Sequence, residues 1–406
     1  MSCNLNRLLN NKRLRLALLL GSLAALGPLT IDMYLPSFPT ITDEFNTNAS
    51  LIQFSLTACL LGLGSGQVII GPLSDVRGRQ LPLLFSLTLY FIASTAAAFA
   101  PNVYFFIGAR FLQGFAAAGG IVSSRAIVRD VYVGKELTKF FALLMLINNL
   151  APILAPVMGS SILLFTNWRG VFVVLGGVGI LLFLIISFRF KETLPKEKRI
   201  PSNIGQTVKN FLTLIKNRQF IGYALTQSFI TAGIFAYVSG TPFVYQNIYG
   251  TSPQVFSVLF AMNGLGIMTG TMLIGRLADI ISETRFLKIG LFMAVSAGLT
   301  LFIVVLSDGP LFAVVIPIFV FVSCIGIIST SSFSLAMQAQ GHIAGSASAL
   351  LGLLPFIFGA FSAPLVGIAG EGTAVPMGAI MFTVSLLALI SYYGFVGGQE
   401  KSTEHI

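Results

Sequence analysis

The chain has 406 residues, 55% of them hydrophobic and only 9% charged, with a formal net charge of +10. A soluble domain carries roughly 25% charged residues, so an ordinary water-soluble globule is excluded and a lipid bilayer is the natural solvent. The basic surplus would suit nucleic acid, but its distribution along the chain argues against that partner.

A hydrocarbon core of ~30 Å needs about 20 apolar residues per crossing helix. Taken in order, the sequence offers twelve such spans. Six lie in the first half, at 14 to 34, 51 to 71, 81 to 99, 103 to 124, 140 to 165 and 168 to 188. Six follow in the second, at 219 to 243, 254 to 275, 287 to 306, 310 to 332, 344 to 369 and 374 to 396. The fifth and eleventh are long and contain prolines, which predicts kinks or tilt. No hydrophilic stretch is long enough for a soluble domain. The expected fold is therefore an all-α integral membrane protein of twelve transmembrane helices.

Sorting Lys and Arg by loop places 22 of the 24 on one side of the membrane, Arg169 on the other and Arg110 inside a span. Basic loops stay cytoplasmic, so both termini are expected there, in a multi-pass protein of the inner cell membrane. The first apolar segment lacks a small-residue cleavage signature and is expected to be retained. Cys3, Cys59 and Cys324 suggest no disulfide framework.

The stretch 191 to 218, with Pro195, Pro201 and five lysines, reads as a basic cytoplasmic linker between an N-terminal six-helix bundle (1 to 190) and a C-terminal one (219 to 406). The halves echo each other. Gly71-Pro72-Leu73-Ser74-Asp75 closes the second span, and Gly275-Arg276-Leu277-Ala278-Asp279 closes the eighth, 204 residues later. A duplicated unit is the economical reading, as in carriers whose halves are related about the membrane normal. Small residues such as Gly62 with Gly66, and Gly266 with Gly270, fit close helix packing better than ligand contact.

Asp32 is the one carboxylate expected within a span, and an intramembrane ionisable group is a functional candidate by default. It is read either as a proton carrier, sharing a helix face with Pro28, or as a residue ending its helix at the wet interface, since Pro36 and Pro39 follow. Tyr34 fits both. Arg110 lies seven residues into the fourth span, a depth of roughly 10 Å at ~1.5 Å per residue. There it needs a carboxylate or freed backbone carbonyls to offset desolvation. It is read either as coupled to Asp32, with Gln113 on its own helix face, or as a structural tie between spans. Asn148, Pro152, Pro156 and Gly159 line one face of the fifth span, as an alternating-access hinge or as a packing seam. The second half offers only neutral polar groups within its spans, among them Gln227, Thr231, Asn263, Ser329, Ser331 and Ser332. With 36 Phe in the chain, that half suits a lipophilic cargo, although most rings are expected against lipid or other helices.

Other energy sources are missing from the sequence. There is no G-x-x-x-x-G-K-[ST] phosphate cradle. His342 and His405 are the only histidines, which argues against haem or His-rich metal sites, and no hydrolase motif occurs. Neither an enzyme nor a cofactor is expected.

At these residues the chain resembles the major facilitator superfamily and, within it, the Bcr/CflA multidrug efflux family, over nearly its whole length. Gly71 to Arg79 resembles the superfamily signature between the second and third helices, with Val76 and Gln80 where basic residues are usual. Arg110-Phe111-Leu112-Gln113-Gly114 and Ala151 to Gly159 resemble the fourth- and fifth-helix signatures associated with proton coupling and antiport. Asp32-Met33-Tyr34-Leu35-Pro36 and Arg125-Ala126-Ile127-Val128-Arg129-Asp130 resemble the narrower family.

The resemblance implies two pseudo-symmetric six-helix bundles and proton-driven export of small amphipathic drugs of phenicol, sulfonamide or bicyclomycin type. It implies proton coupling at Asp32 and Arg110, and a hinge at Pro152, Pro156 and Gly159. A cytoplasmic latch would be formed by Gly71, Asp75, Gly78, Arg79 and Asp279, with Asp75 facing the start of the eleventh helix. Tyr34, Gln113, Asn148, Gln227, Thr231 and Asn263 are the expected cavity residues. The expected partners are a lipophilic substrate, protons and the bilayer, with the chain acting as a monomer. A proton-coupled metabolite symporter, or a non-transporting sensor on a carrier scaffold, remain the alternatives.

Overall fold

A computed structural model describes residues 2–199, 204–277, 280–338, 340 and 343–396. Among them the chain is helical throughout. Its elements are α1 (Ser2–Asp32), α2 (Phe38–Glu44), α3 (Ala49–Arg77), α4 (Gln80–Ala98), α5 (Val103–Val131), α6 (Gly134–Ile162) and α7 (Trp168–Arg189), then α8 (Ile204–Lys216) and α9 (Arg218–Phe243). The rest are α10 (Pro253–Leu277), α11 (Glu283–Leu306), α12 (Leu311–Gln338), α13 (Ala344–Leu365) and α14 (Val375–Phe395).

Starts and stops follow local chemistry. The side chains of Asn102, Asn167 and Asn217 accept backbone N–H groups at the first turns of α5, α7 and α9, satisfying donors that a helix start leaves open. Helix ends use arginine. Arg169 Nη1 donates to the Ala98 carbonyl at the end of α4 (2.8 Å), and Arg218 Nη2 to the Gly394 carbonyl in the last turn of α14 (2.8 Å), where the macrodipole is negative.

Eleven helical segments among the described residues are long and apolar enough to cross a membrane. The fifth expected span falls on α6, which carries the apolar stretch Leu146–Ile162. Large apolar side chains stand exposed along the helices, for example Phe85 and Ile92 on α4 and Leu181, Leu184 and Phe188 on α7. Contiguous apolar surface on this scale needs lipid rather than water.

Contacts divide the chain into two compact units: unit 1, residues 1–34 and 61–202, and unit 2, residues 35–60 and 203–406. The first twelve residues of α3 thus group with unit 2. Within unit 1, α1 packs on α5 and α6, and α4 on α5 and α7. Within unit 2, α9 packs on α12 and α13, and α11 on α12 and α14. Matching helices by order in each half, these are the same four pairings, which is the packing counterpart of the sequence repeat.

The repeated glycines explain one shared approach. A Cβ on Gly66 would lie 2.5 Å from the Phe115 carbonyl of α5, and one on Gly270 would strike the Ser323 carbonyl of α12. Only glycine lets these helix backbones come so close.

Unit 2 also shows how prolines in α13 are accommodated. Pro364 has no N–H to give the Ala360 carbonyl, and the Thr57 hydroxyl donates to that oxygen instead (3.0 Å). Beside it, Gln53 Nε2 donates to the Ser239 carbonyl (3.1 Å), and the Ser239 hydroxyl to the Ala363 carbonyl (3.0 Å).

Candidate functional site

The helix α1 stops inside the protein. Its last residue is Asp32, a turn and a short 3-10 segment at Leu35–Ser37 follow, and α2 then continues the same membrane-crossing segment, Arg15–Glu44. Pro36 enforces the break, since it cannot donate to the Asp32 carbonyl one turn back. Every residue from Thr30 to Phe38 is buried. Asp32 therefore does end a helix, but away from water: it is 6% exposed. The wet-interface reading fails because the span runs on for twelve residues beyond it.

A broken helix offers carbonyls that lack donors from the next turn, together with the negative end of its dipole. Arg110 uses both. Its side chain is fully buried, and Nη2 donates to the Thr30 carbonyl (2.8 Å) while Nη1 donates to Gln113 Oε1, one turn further along α5. Gln113 Nε2 donates in turn to the Ser94 hydroxyl of α4 (2.8 Å), and the Thr30 hydroxyl meets the Tyr90 hydroxyl (2.8 Å). The Tyr34 ring lies 4.1 Å from the guanidinium carbon and Phe172 5.5 Å from it, so π faces help offset the buried charge.

Of the two partners the sequence allowed for Arg110, the structure shows the carbonyl. Among the described residues no ion pair joins Asp32 to Arg110, and Asp32 itself has no side-chain hydrogen bond. The two are linked instead through the end of α1, which carries the acid and is held by the arginine. Thr30, Tyr90, Ser94 and Phe172 were not singled out from the sequence. Tyr90 and Ser94, four apart and so on one face of their span, were the available signal.

The α6 stripe points inward. Pro156 and Gly159 are buried and Asn148 and Pro152 half-buried, while Leu150, Leu154 and Met158 are exposed. A Cβ on Gly159 would strike the Met33 carbonyl oxygen. The α6 stripe therefore touches the broken end of α1 through bare backbone.

A second charged cluster lies at the turn between α3 and α4. Gly78 makes that turn at φ +90, a conformation that suits glycine. Arg79, 5% exposed, donates through Nε to Asp130 Oδ2 (2.8 Å) and through Nη1 to Asp75 Oδ1 (2.6 Å) and Ser74 Oγ (3.1 Å). Burial pushes the Arg79 guanidinium down, but Asp130 and Asp75 together hold it above its ordinary value.

Glu192, just past α7, caps α4 from a distance, accepting the Arg79 N–H (2.9 Å) and the Gln80 N–H (3.2 Å). Burial raises the Glu192 carboxyl, yet the N–H groups of Leu194, Arg79, Gln80 and Thr193 outweigh that and hold it below the usual carboxylate range. Gln80 donates to the Ile186 and Phe190 carbonyls near the end of α7. Gly71 has no such constraint, because a Cβ there would meet only Val122, at 3.6 Å. Asp279 lies outside the described residues.

In unit 2 the expected cavity residues divide. Asn263 of α10, 1% exposed, donates to the Tyr237 hydroxyl of α9 (2.9 Å), and the Tyr237 ring stacks on Phe260 at 5.2 Å. Thr231 donates to the Gln227 carbonyl within α9 (2.8 Å). The side-chain oxygens of Gln227, Asn263, Ser331 and Ser332 are buried and meet no hydrogen-bond partner among the described residues. A separate groove of about 480 Å³ runs between α9, α13 and α14, lined by Phe229, Phe358, Phe361 and Thr383 among others. None of Gln227, Thr231 and Asn263 lines it, and Phe361 is 72% exposed, which marks a lipid-facing groove.

A family profile described as Major Facilitator Superfamily matches residues 20–364. The "Uncharacterized MFS-type transporter YdgK" of Bacillus subtilis is 55% identical over 94% of this chain and 96% of its own length. A "Bicyclomycin resistance protein homolog" of Haemophilus influenzae is 31% identical over 95% of this chain and 97% of its own. Among solved structures, a D-xylose-proton symporter superposes with a TM-score of 0.75 at 17% identity, covering 94% of this chain and 96% of that one. This last likeness speaks for the fold alone.

Proposed function

We propose that this chain, which belongs to the Major Facilitator Superfamily, exports small amphipathic drugs of bicyclomycin, phenicol or sulfonamide type in exchange for protons. The family is one of membrane transporters rather than enzymes, and a relative named as a bicyclomycin resistance protein homolog supports drugs as the cargo class. In this reading the protein sits in the cytoplasmic membrane as a monomer with both termini in the cytoplasm.

The observation that carries the proposal is Asp32, a buried acid at the broken end of a membrane helix. Exchange of a proton there changes by one charge the helix end that Arg110 grips and Gly159 abuts. A charge in a membrane interior is expensive, so loading and unloading the acid favours different packings of α1 against α5 and α6. That is the coupling an antiporter needs: differential stability of two states. Arg110, anchored by Gln113, Thr30 and Tyr34, is the fixed charge against which the variable one is read. Pro152, Pro156 and Gly159 are the hinge in this scheme, and the Arg79 cluster with Asp75 and Gly78 is the latch. Tyr34 and Gln113 border the proton site. The neutral, partly unmatched groups Gln227, Thr231 and Asn263, with Asn148, are the polar contacts for a mostly apolar cargo.

The test is antibiotic or dye export in everted vesicles, with and without an uncoupler. Wild-type protein is expected to drive uphill export that the uncoupler abolishes, and Asp32→Asn to lose it while still reaching the membrane. Gradient-driven export that survives in Asp32→Asn would remove the acid from the scheme. A carrier that lets no drug through but accumulates a metabolite with protons would show a symporter instead.

A further inference from the structure

Among its described side chains, the helix α8 is held against the rest of unit 2 by one face. Asn210 Nδ2 donates to the Ser346 hydroxyl in the first turn of α13 (3.1 Å), and Leu214 is fully buried. One residue, Asn217, separates α8 from α9, and Arg218 reaches the last turn of α14. The helix is thereby fixed where α9 and α13 begin and α14 ends, at a single membrane face.

Successive residues turn by about 100° in a helix, so Leu214, Phe211, Ile215 and Leu212 follow one another around it. The apolar sector they form spans roughly 160° at that spacing. Leu214 is covered and Phe211 half-covered, while Ile215 is 49% and Leu212 55% exposed. Next around the helix come Lys216 and Lys209, both exposed. Apolar side chains bordered by lysines, at the level where spans enter the membrane, are the pattern of a helix lying in the interface. Lysines beside such an edge can keep their stems in the apolar layer and their ammonium groups among the headgroups.

We propose that α8 is an interfacial helix that binds anionic phospholipid headgroups of the surrounding bilayer through Lys209 and Lys216, with Leu212 and Ile215 immersed beneath them. The occupant is lipid rather than a second protein because the helix cannot leave the membrane surface and its exposed sector is basic as well as apolar. Each basic residue near an anionic surface favours such lipid by roughly five-fold. The proposal stands apart from drug export, and fails or holds without it.

The experiment uses the full chain in nanodiscs of phosphatidylcholine with or without phosphatidylglycerol. Spin labels at Leu212→Cys and Ile215→Cys are expected to be reached by oxygen and shielded from a water-soluble nickel chelate, while Thr213→Cys on the same helix shows the reverse. Equal nickel access at all three positions would overturn the immersion. Contact between the Leu212→Cys label and spin-labelled phosphatidylglycerol should exceed that with spin-labelled phosphatidylcholine, and Lys209→Gln with Lys216→Gln should erase the difference. Equal contact with both lipids in the chain that keeps its lysines would overturn the anionic preference.

Discussion

Units 1 and 2 share a packing plan but handle polarity in opposite ways. Among the described residues, the three buried charged side chains, Asp32, Arg79 and Arg110, all belong to unit 1. Arg79 and Arg110 are tied to named partners on neighbouring elements. Among its described residues unit 2 buries no charge, and several of its interior oxygens are unmatched. A matched buried charge specifies one arrangement strongly, because breaking it strands a partner. Unmatched neutral acceptors specify little and leave hydrogen-bonding capacity for a guest. A duplicated bundle has thus kept its helix pairings while holding the buried charges of its described residues in one copy.

The comparison breaks most visibly at Arg110. Arg110→Ala strands Gln113 Oε1 and the Thr30 carbonyl, and each group should cost about 1–3 kcal/mol. The unfolding midpoint in detergent is expected to fall accordingly, with export lost. Arg110→Lys should keep the charge yet fail to restore export, because an ammonium cannot reproduce the planar fork.

Backbone contacts supply the next test. Gly159→Ala drives a methyl into the Met33 carbonyl and should destabilise by about 1–3 kcal/mol, whereas Gly71→Ala, with room for its Cβ, should stay within about 0.5 kcal/mol. Equal effects on the same melts would dissolve the distinction between a built contact and a mere sequence motif.

Gln227→Leu sharpens the contrast from the other side. Its oxygen has no partner to strand, so stability should stay within about 0.5 kcal/mol or rise, while the KM for exported drug increases. A large loss of stability would show unit 2 to be as tightly matched as unit 1.

The smallest effect is expected at Glu192. Its carboxyl is held below an ordinary value of 4.5, so its contribution is complete above that pH and fades as acid titrates the lowered group. Glu192→Gln should remove this part of the acid sensitivity, seen as a flatter midpoint of thermal unfolding from neutral into acid.

Length, apolarity and the bias of Lys and Arg were enough to read a membrane protein of paired six-helix halves, because these properties are set residue by residue against a solvent of known thickness. The contact of Arg110 with Gln113 was also legible, since three residues along a helix is a local distance. The glycine pairs announced close packing, though not which backbones would meet. What the sequence alone left open was always a long-range choice. The break of α1 was hinted at by Pro36, but the burial of Asp32 depended on the span running on beyond it. The partner of Arg110 proved to be a carbonyl 80 residues away, and the cap of α4 a glutamate more than 110 residues on. Helical spans are dictated by local hydrogen bonding and solvent; which orphaned donor meets which orphaned acceptor is decided only when the helices pack.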